Sequence, residues 1–261
     1  MSFTAKDVQK LRQASGAGMM DAKRALEETD GDFDAAAKLL RERGLAKSVD
    51  RADRENTQGV VAVATGPGLA AIVELKCETD FVAKNPDFIG AAQAIADTVA
   101  SGGSADDHKD RIDDFKVTLK ENIEVGRVER IEVADRQVVD TYLHRQEGRG
   151  VNAVVVVLEG GDQDLAHEVA VSAAFSKPRF VTRDEVPQAA AEEERATLEG
   201  ITRAEGKPEQ AIEKIVEGRL NAWYKNQVLL EQPYAKDDKQ SITQLLGDAK
   251  IAGFAQVYIG S

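Results

Sequence analysis

Residues 151–158, VNAVVVVL, form the most apolar run of the chain and constrain its fold more than any other stretch. A run of this kind has almost no polar face to offer water, so it must be a central strand covered on both sides. Gly160-Gly161 and a polar loop follow. A helix is then expected over residues 162–175, with Leu165 and Val169 inward and Pro178 near its stop. The same strand, loop and helix order occurs once earlier. Residues 69–75, with Ile72, Val73 and Leu75, read as a buried strand, and residues 76–88, KCETDFVAKNPDF, as an irregular polar segment. Asn85 can then cap a helix that has Pro86 at its first position and Phe88, Ala92, Ile95 and Val99 at helical spacing. The two copies predict two related α+β subdomains with antiparallel strands, in the manner of an old duplication.

Ahead of them, Thr4 and Asp7 have the spacing of a capping box, and Val8 and Leu11 supply the apolar stripe of a first short helix. Ser15-Gly16-Ala17-Gly18 breaks it. Residues 19–28 give a second helix with Ala22, Ala25 and Leu26 inward. Asp32 can cap a third, with Phe33, Ala36, Ala37 and Leu40 on one face and Gly44 expected as its terminator. This three-helix module over residues 1–45 is similar to the ubiquitin-associated fold. Gly16-x-Gly18 is read as an interhelix turn, because no strand precedes it as a phosphate-binding loop requires. Met19 and Met20 are adjacent and cannot both face inward, so at least one is expected at the surface as an adaptable apolar contact.

Residues 46–56 are charged, lack a sustained apolar period, and read as a linker or an exposed helical extension. A core subdomain over 57–135 begins with a hairpin, residues 60–64 and 69–75, turning at Gly66-Pro67-Gly68. Ser101-Gly102-Gly103-Ser104 is expected to be a flexible break and His108 to be solvated. Ile112, Phe115, Leu119 and Ile123 make a helical stripe, with strands over 128–133 and 138–143. In the second subdomain, 136–261, residues 184–230 are rich in Ala, Glu, Lys and Arg around Gly206-Lys207-Pro208, which predicts an inserted antiparallel helical hairpin ended by Pro233. A short capped helix at 241–246 and a strand at 253–259 complete the chain.

Net charge is −12, and the first fifty residues hold nine basic and nine acidic side chains, so the acidity lies downstream. Such a balance argues against direct nonspecific grip on nucleic acid, which needs Lys and Arg to displace counterions from phosphate. The single cysteine, Cys77, rules out an intrachain disulfide framework and suits a reducing compartment. The acidic neighbours Glu78 and Asp80 disfavour a thiolate there. With no apolar run near the ~18 residues a membrane helix needs, no membrane is expected, and the cytoplasm is the expected location. Walker-type, HExxH, GxSxG and paired-cysteine patterns are all missing from the sequence, so neither an enzyme nor a metal or other cofactor is expected.

That leaves the 77–84 segment, where Asp80 and Phe81 sit side by side and Val82 adds a second apolar side chain. Two readings are open on residue type alone. Phe81 and Val82 fold back into the core, or the segment projects as an apolar wedge with a negative charge beside it. Thr79-Asp80-Phe81-Val82, preceded by Cys77 and followed by Ala83-Lys84, resembles the signature of the bacterial elongation factor Ts family. The resemblance extends to residues 11–26, LRQASGAGMMDAKRAL, to residues 205–234 and to the last strand.

It implies a nucleotide exchange factor for the GTPase elongation factor Tu. Thr79, Asp80, Phe81 and Val82 would disturb the partner's magnesium site, while Met19, Met20 and His144 would contact the partner. The chain departs from the family pattern at Lys120, where a glycine is common before Glu121-Asn122-Ile123, and at Gly126-Arg127, where two arginines are common. Self-association is left open. The competing readings are a ubiquitin-associated-like binding module on a scaffold, indifferent to nucleotide, and a hydrolase built from dispersed acidic pairs, which would turn over without a protein partner.

Overall fold

The computed structural model describes residues 3–260 and is α+β, with two compact units that are not continuous in sequence. Of the described residues, one comprises 3–130, 143–153 and 257–260, the other 131–142 and 154–256.

The first unit opens with helices α1 (Ala5–Ser15), α2 (Met19–Glu28) and α3 (Phe33–Val49). Thr4 and Asp7 cap each other at the start of α1, and Gly16 ends it in the left-handed region, φ 64°. Val8, Leu11, Ala22, Ala25, Leu26, Ala36 and Leu40 form the bundle's own core. Gly44 does not terminate α3, which continues to Val49. A Cβ on Gly44 would lie 2.6 Å from Val117 Cγ1, so the glycine serves close packing. Residues 46–49 are accordingly helical, and Arg51 Nη2 donates to the carbonyl of Lys116 at 2.8 Å.

Strands β1 (Gln58–Gly66) and β2 (Leu69–Cys77) form the expected antiparallel hairpin, with Val60 opposite Leu75. The one-turn helix α4 (Asp80–Ala83) leads into α5 (Pro86–Ala100), and α6 (Lys109–Thr118) precedes β3 (Glu124–Glu132), in a sheet ordered β1-β2-β3. The core face of the hairpin, Val60, Ala62, Val73 and Leu75, packs with Phe88, Ala92, Ile95 and Val99 of α5 and with Ile112 and Ile123. Gly66 at the end of β1 lets the end of α5 approach closely, since a Cβ there would fall 2.2 Å from the Ala100 carbonyl oxygen.

Residues 101–104 are not a flexible break. The amides of Gly102 and Gly103 bond back to Val99 and Thr98, and Ser104 caps the next turn reciprocally with Asp107. His108 is half-buried, 2.8 Å from Thr98 Oγ1, where a solvated ring was expected. The hydroxyl of the helix end gives the ring a partner that spacing alone does not reveal.

Strands β4 (Gln137–Gln146) and β5 (Arg149–Glu159) form a sheet with β8 (Lys250–Tyr258) in the order β4-β5-β8, so the valine run is central as expected. In the second unit, α7 (Gln163–Ser176), capped by Asp162, buries Ala166, Val169 and Ala173 against Val154, Val156 and Leu158. The expected pair of helices is present as α8 (Gln188–Ala204) and α9 (Glu209–Gln227), with Ile212, Val216 and Leu220 buried. Pro233 does not end that hairpin. Helix α9 stops at Gln227, and Pro233 opens a two-stranded ribbon, β6 (Pro233–Tyr234) with β7 (Asp237–Ser241), that the polar sequence does not announce. Helix α10 (Ile242–Leu246), capped by Ser241, leads to β8. Among the described residues, no helix is long and apolar enough to cross a membrane.

Candidate functional site

The segment after β2 is not irregular throughout. Thr79 acts as N-cap for α4, its hydroxyl accepting from the Val82 amide at 3.4 Å, and the amides of Lys84 and Asn85 bond back to Asp80 and Val82. Asn85 then caps α5 through the Asp87 amide, with Pro86 at the first position. Successive side chains on a helical turn diverge by about 100°. Phe81 and Val82 therefore part: Phe81 is 83% exposed, whereas Val82 is 9% exposed and Ala83 fully buried in the core of the hairpin and α5. Val82 and Ala83 hold the turn down while the phenyl ring stands in solvent.

Upstream, the turn is clasped by the segment before β3. Glu121 Oε2 accepts from the amides of Glu78 at 3.0 Å and Thr79 at 3.1 Å, and its Oε1 accepts from the Thr79 hydroxyl at 2.5 Å. In return Glu78 Oε1 accepts from the Asn122 amide at 2.6 Å. Lys120, immediately before, lies in the left-handed region at φ 60°, which is the conformation a glycine adopts without strain. Cys77 closes β2, buried, with its thiol donating to the Thr79 carbonyl at 3.2 Å. Burial, and then the charge of Glu121, push the thiol up to about 12, so it is no nucleophile at neutral pH.

Asp80 is not a lone charge. Lys84 Nζ sits 2.7 Å from Asp80 Oδ2 and 2.7 Å from Glu147 Oε2. The Lys84 hydrogen bond holds the Asp80 carboxyl below the usual carboxylate range, and Asp80, then Glu147, raise the lysine. Glu147 and Gly148 form the two-residue turn between β4 and β5, both at positive φ (52° and 83°), as a tight hairpin of this kind requires. Lys84 thus joins α4 to that hairpin turn. His144 lies on the exposed end of β4, three residues before Glu147. Met19 and Met20 are on a different element, the first turn of α2, and both are exposed, at 48% and 61%.

Sequence reasoning missed Lys84, Glu121 and Glu147 as parts of the site. The spacing of Asp80 and Lys84, four apart on a turn, was a usable signal. Glu121 and Glu147 reach the turn only through tertiary pairing.

Compared with known proteins, the chain falls among translation elongation factors. The family described as Elongation factor TS matches residues 78–261, beginning at the Glu78 of the clasp. Elongation factor Ts of Clavibacter michiganensis subsp. michiganensis is 41% identical over 276 residues, covering 100% of this chain and 99% of the relative. That of Nocardioides sp. is 42% identical with the same coverage, and that of Micrococcus luteus 39% identical over 280 residues. The chain belongs to the elongation factor Ts family.

Proposed function

We propose that this protein is a guanine-nucleotide exchange factor for elongation factor Tu, and that Phe81, carried on α4, enters the GTPase and disturbs its magnesium and phosphate site so that GDP leaves. One observation carries the reading: a phenyl ring 83% exposed on a turn anchored at both ends. Singly exposed apolar residues are common, but a large ring held out by a clasped turn is preorganised to fill a pocket in a partner. Magnesium demands near-octahedral oxygen ligands and bridges the nucleotide phosphates to the GTPase, so small displacements around it are costly.

Asp80 adds a weaker electrostatic contribution. A bare unit charge ~6 Å from the site at an effective dielectric of ~20 would be worth roughly 3 kcal/mol. Lys84 at 2.7 Å offsets much of that, and Glu147 restores a net negative trio. The ring is therefore the principal actor. Val82 serves from inside, by fixing the turn. Met19, Met20 and His144 supply affinity from other exposed elements.

Exchange is reciprocal linkage: if this protein weakens nucleotide binding, nucleotide weakens its binding by the same factor, and excess GTP ejects it. The test replaces Asp80 and Phe81 together with Ala and follows release of fluorescent GDP from purified elongation factor Tu. Unchanged acceleration by the folded double variant sinks the proposal. A pull-down titrated with GDP separates exchange from the plain binding-module reading, because only the latter is indifferent to nucleotide.

A further inference from the structure

We infer that Glu121 is the positioning residue of this site: its carboxylate, by gripping two amides and a hydroxyl at the start of α4, sets the direction in which Phe81 leaves the surface. The inference rests on the reading of Phe81 given above.

Helix α4 has four residues, far too few to hold a helical shape unaided. Its orientation must come from outside. On the downstream side, Val82 and Ala83 in the core and the Asn85 cap supply it. On the upstream side the anchor is Glu121, more than forty residues away in sequence. The Thr79 hydroxyl gives its hydrogen to Glu121 Oε1, which turns a lone pair toward the Val82 amide and completes the N-cap. The other oxygen, Oε2, takes the two amides that precede the helix. Bonds to an ionised carboxylate are roughly twice as strong as neutral ones.

Glu121 is itself fixed through its neighbour. The Asn122 amide donates to Glu78, and Asn122 Nδ2 donates to the carbonyls of Ala52 at 3.0 Å and Arg54 at 2.8 Å. Phe81, mostly in solvent, has little packing of its own to aim it. The backbone of the clasped turn aims it instead.

The experiment measures acceleration of fluorescent GDP release from purified elongation factor Tu against concentration of the full chain, for wild type, E121A, E121Q, F81A and E121A/F81A. A misplacement of order 1 Å costs on the order of 100-fold in rate, so E121A is expected to lower the maximal acceleration about 10- to 100-fold. E121Q is expected to recover to within about 5-fold of wild type, since its carbonyl can take both amides while its NH2 donates to Thr79 Oγ1, with weaker neutral bonds. E121A/F81A is expected to be no slower than F81A, because the two changes remove one function. Losses that multiply in the double variant, or E121Q as poor as E121A, overturn the assignment. Wild-type acceleration by F81A is a separate outcome and overturns the reading of Phe81 itself. Should E121A fail to fold, T79V, which removes the gripped hydroxyl, takes its place in the same cycle and must show the same lack of additivity with F81A.

Discussion

Phe81 and Val82 are adjacent, both apolar, and differ about ninefold in exposure, at 83% and 9%. Replacing each with Ala should therefore separate function from stability. A Phe side chain buries ~200 Å² when fully enclosed. If the exposed share is covered on contact, ~170 Å² at ~25 cal/mol per Å² is about 4 kcal/mol, close to a thousandfold in affinity for the state that encloses it. Ordering costs make about 100- to 1000-fold the expected loss in exchange efficiency for F81A. Its folding stability should stay within about 0.5 kcal/mol of wild type, as for other surface changes. Val82→Ala removes two buried methyl groups, ~0.8 kcal/mol each plus a cavity contribution, or about 2 kcal/mol in all. For a protein of this size that lowers Tm by about 4–8 °C. The assay pairs thermal melting with stopped-flow release of fluorescent GDP at 20 °C, where both variants are folded. A melting loss in F81A equal to that in V82A would show that the ring is packed, and the reasoning would fail.

Three further outcomes are expected. Lys84→Ala should return the Asp80 carboxyl from its lowered position toward the ordinary value of 3.8, followed by NMR titration. A lowered folded-state carboxyl contributes stability above its ordinary value that is lost as pH falls through the folded value, so K84A should weaken the acid dependence just below pH 4, and an unmoved Asp80 titration would discount the ion pair. Cys77, with its thiol pushed up to about 12 and buried, should resist alkylation at pH 8 in the native protein and react only in denaturant, as read by mass spectrometry. Lys120→Gly should raise the urea midpoint, because left-handed backbone costs a side-chain residue about 1–2 kcal/mol while glycine's extra chain entropy returns about 0.5–1 kcal/mol; a lowered midpoint would mean that the lysine side chain has a compensating contact.

Much of the fold was legible because local chemistry and burial agree. Thr4, Asp32, Asn85 and Ser241 cap helices where their sequence position says they should. The valine run is central because no polar face competes. The misreadings fall where a residue type has two uses. Gly44 looks like a helix stop, yet serves a close approach to Val117. Gly102 and Gly103 look like slack, yet their amides close a helix end. At the site, residue types located the turn but left the direction of Phe81 and Val82 undecided. That direction depends on Glu121 and on the neighbouring core, both of which meet the turn only in three dimensions.

Residues 257–260 belong with residues 3–130 and 143–153, where Val257 is fully buried and the Ile259 amide donates to the Val151 carbonyl at 2.9 Å. A ribosome emits a nascent chain in order, at about 5–20 residues per second, so residues 154–256 take roughly 5 to 20 s to emerge before those last partners exist. The unit begun first during synthesis is thus the last to be sealed. Throughout that interval the edge of β5 that pairs with β8 at Val151 lacks its partner strand.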